Sequence, residues 1–138
     1  MDKKPGIVKF PKIEDPRGNL SFIEAKKHVP FAIERVYWIY DVPGGQTRGG
    51  HAFMEQQEVI VAVSGSFTVI VDDGAEKQSF SLNRSYYGLY IPCGYWRQME
   101  EFSTNSLALV VSSTRFDESD YMRSYEQFIL RRKNEAQQ

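Results

Sequence analysis

The chain has 138 residues, enough for one domain with a hydrophobic core, and its formal net charge of −1 gives no global attraction to nucleic acids or anionic membranes. Its single cysteine, Cys93, excludes an intrachain disulfide. The sequence contains no signal-peptide-like apolar core near its start and no apolar run of about 18 residues that could span a membrane, so we expect a cytoplasmic protein.

Short runs of β-branched and aromatic residues, separated by turn signals, predict an all-β fold. Many short strands at this spacing favour a jelly-roll β-barrel, with residues 1–138 forming a single domain. The predicted strands are Asn19–Glu24, Ile33–Val42, Glu58–Val63, Phe67–Val71, Gln78–Leu82, Tyr87–Ile91, Trp96–Glu100 and Leu107–Ser112.

The C-terminal segment has a different pattern. Acidic residues follow Asp117, and apolar residues recur at helical spacing at Tyr121, Tyr125, Phe128 and Ile129. The sequence therefore predicts an amphipathic helix over residues 118–133. We expect this helix to pack on the barrel or on a partner subunit.

The centre of the chain carries part of a metal-site pattern. The first half of the cupin signature reads G-x5-H-x-H-x3–4-E-x6-G, and this chain supplies Gly45, His51, Glu58 and Gly65 at its fixed positions. Phe53 stands where the second histidine belongs. The spacing predicts a cupin barrel with an incomplete ligand set.

The second half of the signature reads P-x-G-x2-H-x3-N. This chain has Pro92 and Gly94 at the first two fixed positions, but Arg97 replaces the histidine. His51 and Glu58 would be the remaining ligands, and two ligands rarely hold a transition metal. We therefore predict a barrel that works without a metal and without any other cofactor.

His51 and Tyr37 are the candidate proton-handling residues. An imidazole moves protons readily at neutral pH, although composition alone would make His51 an ordinary hydrogen-bonded histidine. Tyr37 is predicted to face the lumen, where it could donate a hydrogen bond or pack as a core residue. His28, the other histidine, is interpreted as a solvated loop residue.

Three arginines and two aromatic residues are candidates for substrate binding. Arg17, Arg48 and Arg97 lie beside turns or at the predicted barrel mouth, where guanidinium groups could hold a pyrophosphate, although any of them could be a solvated surface charge. Tyr95 and Trp96 could stack on a ring or serve as structural aromatics.

Several motifs in the same order give the chain a resemblance to a known family. It resembles the sugar 3,4-ketoisomerases, the WxcM/FdtA-like cupins that act on dTDP-4-keto-6-deoxyglucose. The motifs that carry the resemblance span nearly the whole chain: Asp15-Pro16-Arg17-Gly18-Asn19-Leu20, Arg35-Val36-Tyr37, Arg48-Gly49-Gly50-His51-Ala52, Val71-Asp72-Asp73-Gly74, Gly88-Leu89-Tyr90-Ile91 and Phe116-Asp117-Glu118-Ser119-Asp120-Tyr121.

The resemblance implies a metal-independent isomerase of deoxysugar biosynthesis. Such enzymes convert a 4-keto nucleotide sugar into its 3-keto isomer, which an aminotransferase then uses. They are typically homodimers with exchanged N-terminal strands. By resemblance, His51 is the proton-transferring base, and Arg17 and Tyr37 line the active site. We assign Arg48, Arg97, Tyr95, Trp96 and Phe53 to substrate binding.

The chain departs from the family at two lumen positions. Family members commonly read His-Ala-His and Trp-His, whereas this chain has Phe53 and Arg97 in place of the second histidine of each motif. These changes predict altered activity, substrate or product stereochemistry, and Arg17-Gly18 resembles the galacto-type branch. The alternatives are an epimerase-like cupin that acts at C3 and C5, and a non-catalytic cupin that holds a nucleotide sugar.

Overall fold

The computed structural model describes residues 3–137, and two facing five-stranded antiparallel sheets form its body. The strands of the first sheet lie in the order β1-β9-β6-β11-β4 and those of the second in the order β12-β5-β10-β7-β8, with a separate β2-β3 hairpin. The strand bounds are β1 Gly6–Lys9, β2 Lys12–Ile13, β3 Leu20–Ser21, β4 Arg35–Tyr40, β5 Arg48–Phe53, β6 Glu58–Ser64, β7 Phe67–Asp72, β8 Lys77–Leu82, β9 Tyr87–Ile91, β10 Trp96–Glu100, β11 Leu107–Ser112 and β12 Tyr121–Met122.

The main core lies between the two sheets because side chains alternate along each strand. On β6, Ile60 and Ala62 point into this core, whereas Val59 and Val61 point to the opposite face of the sheet. Inward residues of the other strands complete the core: Phe67, Val69, Val71, Leu82, Leu89, Ile91, Met99, Ala108 and Val110. This confirms the predicted all-β jelly-roll fold.

The outer faces of the two sheets are covered by different parts of the chain. Phe10, Val29 and Phe31 from the N-terminal segment pack on the outward side chains of β6, β9 and β11. The C-terminal helix, α1 (Tyr125–Ala136), places Phe128 against Trp96 on the outer face of the second sheet. The predicted packing of the helix on the barrel is confirmed.

The start of the helix differs from the prediction of residues 118–133. Glu118–Asp120 form a single 3₁₀ turn, and the chain then adds β12 to the edge of β5, pairing Tyr121 with Phe53. The Asp120 carboxylate accepts hydrogen bonds from the backbone N–H groups of Glu55 and Gln56, which ties this segment to the sheet. A true helix cap comes later, where the Ser124 side chain accepts from the N–H of Gln127.

Part of the first sheet is not covered by any of residues 3–137. The outward side chains of the edge strand β4, Val36, Trp38 and Tyr40, are exposed, and so are Leu20 and Phe22 on the β2-β3 hairpin side. In the single chain, β1 pairs with β9, so the exchange of N-terminal strands in a dimer stays a prediction. Among residues 3–137, no helix is long and apolar enough to cross a membrane.

Candidate active site

A polar cavity of about 520 Å³ opens at one end of the lumen. Its inner wall carries side chains that the sequence analysis had selected, and its rim carries two arginines. The lining residues are Tyr37, Trp38, Ile39, Thr47, Arg48, Gly49, Gly50, His51, Arg97, Tyr121 and Arg123.

Strand register brings the chemically active residues of the wall together. Arg97 on β10 lies directly opposite His51 on β5. Tyr37 on β4 and Glu58 on β6 reach the same end of the lumen, where Arg97 contacts both of them. Four strands, two from each sheet, therefore build one polar cluster at the end of an otherwise apolar core.

His51 lies in the middle of β5, and it is 7% exposed. Its ring packs against Phe53 and Tyr121, with ring centroids 4.7 and 5.0 Å away. Burial, reinforced by the positive charges of Arg97 and Arg123, lowers the pKa of His51 from 6.5 to about 2. The imidazole is therefore neutral at physiological pH, with a free lone pair, and the lowered pKa makes it a weaker base than an exposed imidazole.

The Nε2 atom of His51 is buried and has no hydrogen-bond partner among the described residues. A buried polar atom without a partner is costly, and such atoms concentrate at functional sites. The position of His51 on the cavity wall, its neutral state and its unpaired nitrogen make it the strongest candidate base of the site.

Arg97 is buried beside Glu58, which lies at the glutamate position of the cupin pattern. The Glu58 Oε1 atom accepts hydrogen bonds from Nε and Nη2 of Arg97 at 3.1 and 2.8 Å. The side chains are only 2% and 1% exposed. The Arg97 guanidinium thus carries a fixed positive charge next to His51. Burial acts to lower the pKa of Arg97, but the charges and hydrogen bonds of Glu58 and Tyr37 together outweigh it and raise that pKa above its ordinary value.

Tyr37 is half-buried, and its hydroxyl oxygen accepts a hydrogen bond from Arg97 Nη2 at 3.1 Å. Burial, with a smaller contribution from the negative charge of Glu58, raises the pKa of Tyr37 well above its usual value of 10.0. The phenol therefore keeps its proton throughout the physiological range. Tyr37 can act as a hydrogen-bond donor to a substrate oxygen, but not as a phenolate base.

Phe53 lies behind His51 and does not line the cavity. Its ring packs against Tyr121 with centroids 4.6 Å apart, and the Arg97 guanidinium lies 5.8 Å from its centroid. The ring fills the inward position that the cupin pattern assigns to a second histidine. Phe53 therefore packs against His51, and it does not reach this cavity as predicted for a substrate-binding residue.

Two arginines lie at the rim of the cavity. Arg48 begins β5 and is exposed, as predicted for a residue at the barrel mouth. Arg123 pairs with Glu118 at 3.0 Å and lies over the Tyr121 ring, 4.4 Å from its centroid. Neither Tyr121 nor Arg123 was predicted as a site residue, because the sequence pattern of this segment indicated a helix. For Tyr121, the family motif over residues 116–121 was the signal in the sequence that could have identified it.

The structure does not bring Tyr95 and Trp96 to this cavity. Because neighbouring residues on a strand point to opposite faces, Trp96 must face outward when Arg97 faces inward. Trp96 packs against Tyr125 and Phe128 of α1, and Tyr95 lies beneath the guanidinium of Arg132. Their predicted role in substrate stacking is therefore replaced by a role in attaching the helix.

Arg17 also lies away from this cavity within the single chain. It occupies the turn of the β2-β3 hairpin and forms an ion pair with Asp15 at 2.9 Å, with 90% of its side chain exposed. A side chain so exposed can reach a site only if another surface comes to it.

No set of three or more His, Cys, Asp or Glu side chains within residues 3–137 is arranged to hold a metal ion. The cupin-pattern residues explain this result, because Glu58 is paired with Arg97 and position 53 carries a phenyl ring. The expectation that the reaction needs no metal stays a prediction.

Comparisons with known proteins identify the family of this chain. The family model FdtA, described as WxcM-like, C-terminal, matches residues 3–133. A TDP-4-oxo-6-deoxy-alpha-D-glucose-3,4-oxoisomerase from Aneurinibacillus thermoaerophilus is 41% identical over 122 residues, which cover 88% of each chain.

Solved structures of two similar proteins superimpose closely on the whole fold. A 3,4-ketoisomerase from Helicobacter canadensis gives a TM-score of 0.91 at 36% identity, covering 94% of this chain and 97% of that one. QdtA, a sugar 3,4-ketoisomerase from Thermoanaerobacterium thermosaccharolyticum in complex with TDP, gives 0.93 at 35% identity, covering 98% of each. The chain therefore belongs to the FdtA family of WxcM-like sugar 3,4-ketoisomerases, as its sequence resemblance implied.

Proposed function

We propose that this isomerase converts dTDP-4-keto-6-deoxyglucose into a dTDP-3-keto-6-deoxyhexose, with His51 as the base. The observation that carries the proposal is one cavity wall with a neutral, unpaired imidazole and a protonated phenol. The similarity to a TDP-4-oxo-6-deoxyglucose oxoisomerase and to a TDP-bound ketoisomerase supports the choice of substrate.

The reaction moves a carbonyl group by one carbon without net loss of atoms. His51 takes the proton from C3, and the electron pair of that C–H bond forms the C3=C4 double bond while the C4 oxygen gains negative charge. The O3 hydroxyl proton then passes to the C4 oxygen, which becomes the C4 hydroxyl. The electron pair left on O3 forms the C3 carbonyl, and the C3=C4 electron pair takes up the proton that protonated His51 returns to C4. One base can perform both transfers if the developing oxyanion is stabilised.

Tyr37 is the candidate for stabilising the oxyanion. Its phenol is kept protonated by burial and lines the same cavity as His51. A neutral donor strengthens its hydrogen bond as the C4 oxygen becomes negative, which favours the enediolate over the ketone. Tyr37 therefore stabilises the oxyanion, and His51 transfers the proton.

Arg48 and Arg123 suit the pyrophosphate of the nucleotide. Both line the rim of the cavity, and guanidinium groups match phosphate oxygens in charge and geometry. A pyrophosphate held at the rim would leave the sugar to enter toward His51. This placement gives the positive rim and the polar wall separate functions.

We propose further that the enzyme is a homodimer in which the N-terminal segment of each subunit completes the partner's cavity. The support is the position of Arg17, exposed at a hairpin turn, together with the uncovered apolar side chains of β4 and the hairpin. In this arrangement Arg17 would reach the site that the family resemblance assigns to it. The 3-keto product would feed an aminotransferase.

The galacto-type product is the stereochemical outcome we propose, on the basis of Arg17-Gly18 alone. The product's C4 configuration can be determined directly from the coupling constants of its H4 proton. An axial C4 hydroxyl would support this assignment, and an equatorial one would reverse it.

The main test is proton NMR of dTDP-4-keto-6-deoxyglucose with EDTA-treated protein in deuterated water. Wild type should form the 3-keto product, and His51→Asn should not. Because the chain has two histidines, His28→Asn provides a matched control that should keep wild-type turnover. Deuterium at C5 would indicate an epimerase, whereas tight TDP binding without turnover or exchange would indicate a binding protein.

A further inference from the structure

We propose that Glu58 and Arg97 act as a positioning pair that directs the hydroxyl proton of Tyr37 toward the substrate oxygen, and that Arg97 does not bind the substrate itself. This inference rests on the proposed ketoisomerase function. It changes the role of Arg97 from a pyrophosphate ligand to a fixed part of the oxyanion-stabilising group.

The hydrogen bonds of Arg97 leave no donor for a ligand. A guanidinium has five N–H groups. The Nε and one Nη2 hydrogen point to Glu58, and the second Nη2 hydrogen points to the Tyr37 hydroxyl. Nη1 donates to the Gly49 carbonyl oxygen at 3.2 Å and makes a weak contact with the Met99 sulfur at 3.9 Å.

Glu58 is held in place by a second set of buried contacts. The Nε2 of Gln56 approaches Glu58 Oε2 at 3.4 Å, and Gln56 Oε1 accepts from Arg35 at 2.5 Å and from Thr114 at 3.1 Å. The carboxylate therefore cannot turn away from Arg97 without breaking contacts on both sides. This fixes the direction in which Arg97 presents its charge to Tyr37.

The consequence for Tyr37 follows from hydrogen-bond polarity. Its oxygen accepts from Arg97 and makes no other hydrogen bond within residues 3–137, so its own proton is free to donate into the cavity. A guanidinium bound to the phenol oxygen also withdraws electron density, which strengthens the phenol as a donor. The positive charge thus acts on the reacting oxygen through Tyr37.

Stability alone gives no reason to retain this pair. Buried ion pairs are often no more stabilising than well-packed apolar residues of similar size, although removing one partner is strongly destabilising. A double replacement by apolar residues can therefore preserve the fold while it removes the charge. This property separates the positioning role from a structural one.

The experiment compares Tyr37→Phe, Glu58→Leu with Arg97→Met, and the triple combination of these changes. The double variant should be more thermally stable than Arg97→Met alone, yet lose about 100-fold in kcat, the effect expected for one oxyanion donor. Adding Tyr37→Phe should cause little further loss, because the residues act as a unit. The KM and the TDP dissociation constant should stay within about threefold of wild type, since neither the pair nor Tyr37 holds the pyrophosphate.

A turnover-independent measurement keeps the test separate from the proposed substrate. In protein labelled with ¹³C at the tyrosine ζ-carbon, the Tyr37 resonance, assigned by its loss in Tyr37→Phe, should shift in the double variant with TDP bound. Glu135→Gln, which breaks the exposed helical pair with Arg131, is the matched control and should change neither the resonance nor kcat. Failure of wild type to turn over the sugar would refute the proposed function without affecting this resonance test.

Three results would overturn the positioning role. If the double variant kept the kcat of wild type, the role of the Glu58–Arg97 pair would be purely structural. A rise of about tenfold or more in the TDP dissociation constant of the Glu58→Leu with Arg97→Met double variant would make Arg97 a substrate ligand. An unchanged Tyr37 resonance would show that the pair does not act on the phenol.

Discussion

Two arginine–carboxylate pairs in this molecule have nearly the same geometry and opposite surroundings. Arg97 and Glu58 approach to 2.8 Å with side chains 2% and 1% exposed, whereas Arg17 and Asp15 approach to 2.9 Å with side chains 90% and 36% exposed. Water screens the second pair and not the first. The distance between two charges therefore says little about their importance until their burial is known.

The two pairs also differ in how many other groups depend on them. The Arg97 guanidinium contacts Tyr37, Gly49 and Glu58 from different strands, so its loss would disturb three elements together. Among residues 3–137, the hydrogen bonds that Arg17 donates all go to Asp15 in its own turn. Four predictions sharpen this contrast.

Replacing one member of the buried pair should have the largest effect on stability. Arg97→Met leaves the Glu58 carboxylate buried without its counter-ion, so the free energy of unfolding should fall by about 3–5 kcal/mol. Arg17→Met should produce no measurable change. Urea unfolding of both variants at neutral pH checks this, and equal losses would show that burial does not distinguish the pairs.

The glycines beside the two arginines provide a second matched comparison. Gly49 has a φ of +73°, and a Cβ there would lie 2.0 Å from Arg97 Nη1, whereas Gly18 has a φ of +130° with open space around it. Alanine at either position should cost about 1–2 kcal/mol through backbone strain. Gly49→Ala should cost roughly 1–3 kcal/mol more because the guanidinium must move.

If Arg97 positions Tyr37, Gly49→Ala should also reduce kcat, because moving the guanidinium disturbs its hydrogen bond to the Tyr37 hydroxyl. Gly18 lies away from Arg97 within one subunit, so Gly18→Ala should leave this hydrogen bond intact. Thermal melts and NMR turnover assays give both quantities from the same samples. Equal stability loss in the two variants would mean that the Arg97 contact with the Gly49 backbone is loose.

As the pH is lowered, the free energy of unfolding should first respond to the buried His51, and only at lower pH to the exposed Asp15. The folded protein resists protonation at His51 because its pKa is lowered from 6.5 to about 2, while the unfolded chain takes up that proton near 6.5. Stability should therefore fall as pH falls below 6.5, by at most about 1.4 kcal/mol per pH unit. Unfolding midpoints of wild type and His51→Gln between pH 6.5 and about 4.5 measure this slope, which the variant should flatten.

Asp15 acts in a different pH window. The hydrogen bonds from Arg17 lower the pKa of Asp15 below its ordinary value of 3.8, so any stability from this pair is present above that value and is lost as pH falls below it. Asp15→Asn should therefore leave the slope above about pH 4.5 unchanged. An altered slope in this variant would assign the acid sensitivity to the surface.

The smallest effect is expected from Asp15→Asn at neutral pH. Exposed ion pairs contribute little net stability because solvent screens both charges. The thermal midpoint should match wild type, and Glu58→Gln should lower it clearly in a parallel experiment. A comparable shift in both variants would contradict the distinction between the pairs.

The sequence predicted the parts of the molecule that depend on local pattern and spacing. Alternating β-branched strands predicted the barrel, and the cupin spacing placed His51 and Arg97 at one end of the lumen, as the structure shows. Trp96 was placed incorrectly, although the alternation of β10 already required it to face away from Arg97. A strict application of strand period would have avoided that error.

Other features depended on contacts that no local pattern shows. Tyr121 fits a helical period, but the bonds from Asp120 to the β5–β6 connection hold this segment to the sheet. Glu58 occupies a metal-ligand position in the pattern, yet Arg97, distant in sequence, determines its actual partner. In the proposed dimer, the position of Arg17 relative to a complete site would depend on a second subunit, which one sequence cannot specify.

The buried guanidinium has a consequence for how the enzyme depends on its surroundings. In a metal-containing barrel, the cation binds reversibly from solution, so the occupancy of the site depends on the metal concentration and on competing chelators. The cation beside His51 is part of the polypeptide, so it has no dissociation equilibrium and is present in every folded molecule. Two substitutions, Phe53→His and Arg97→His, would supply the missing imidazoles beside His51 and Glu58, and would exchange this permanent charge for a removable one.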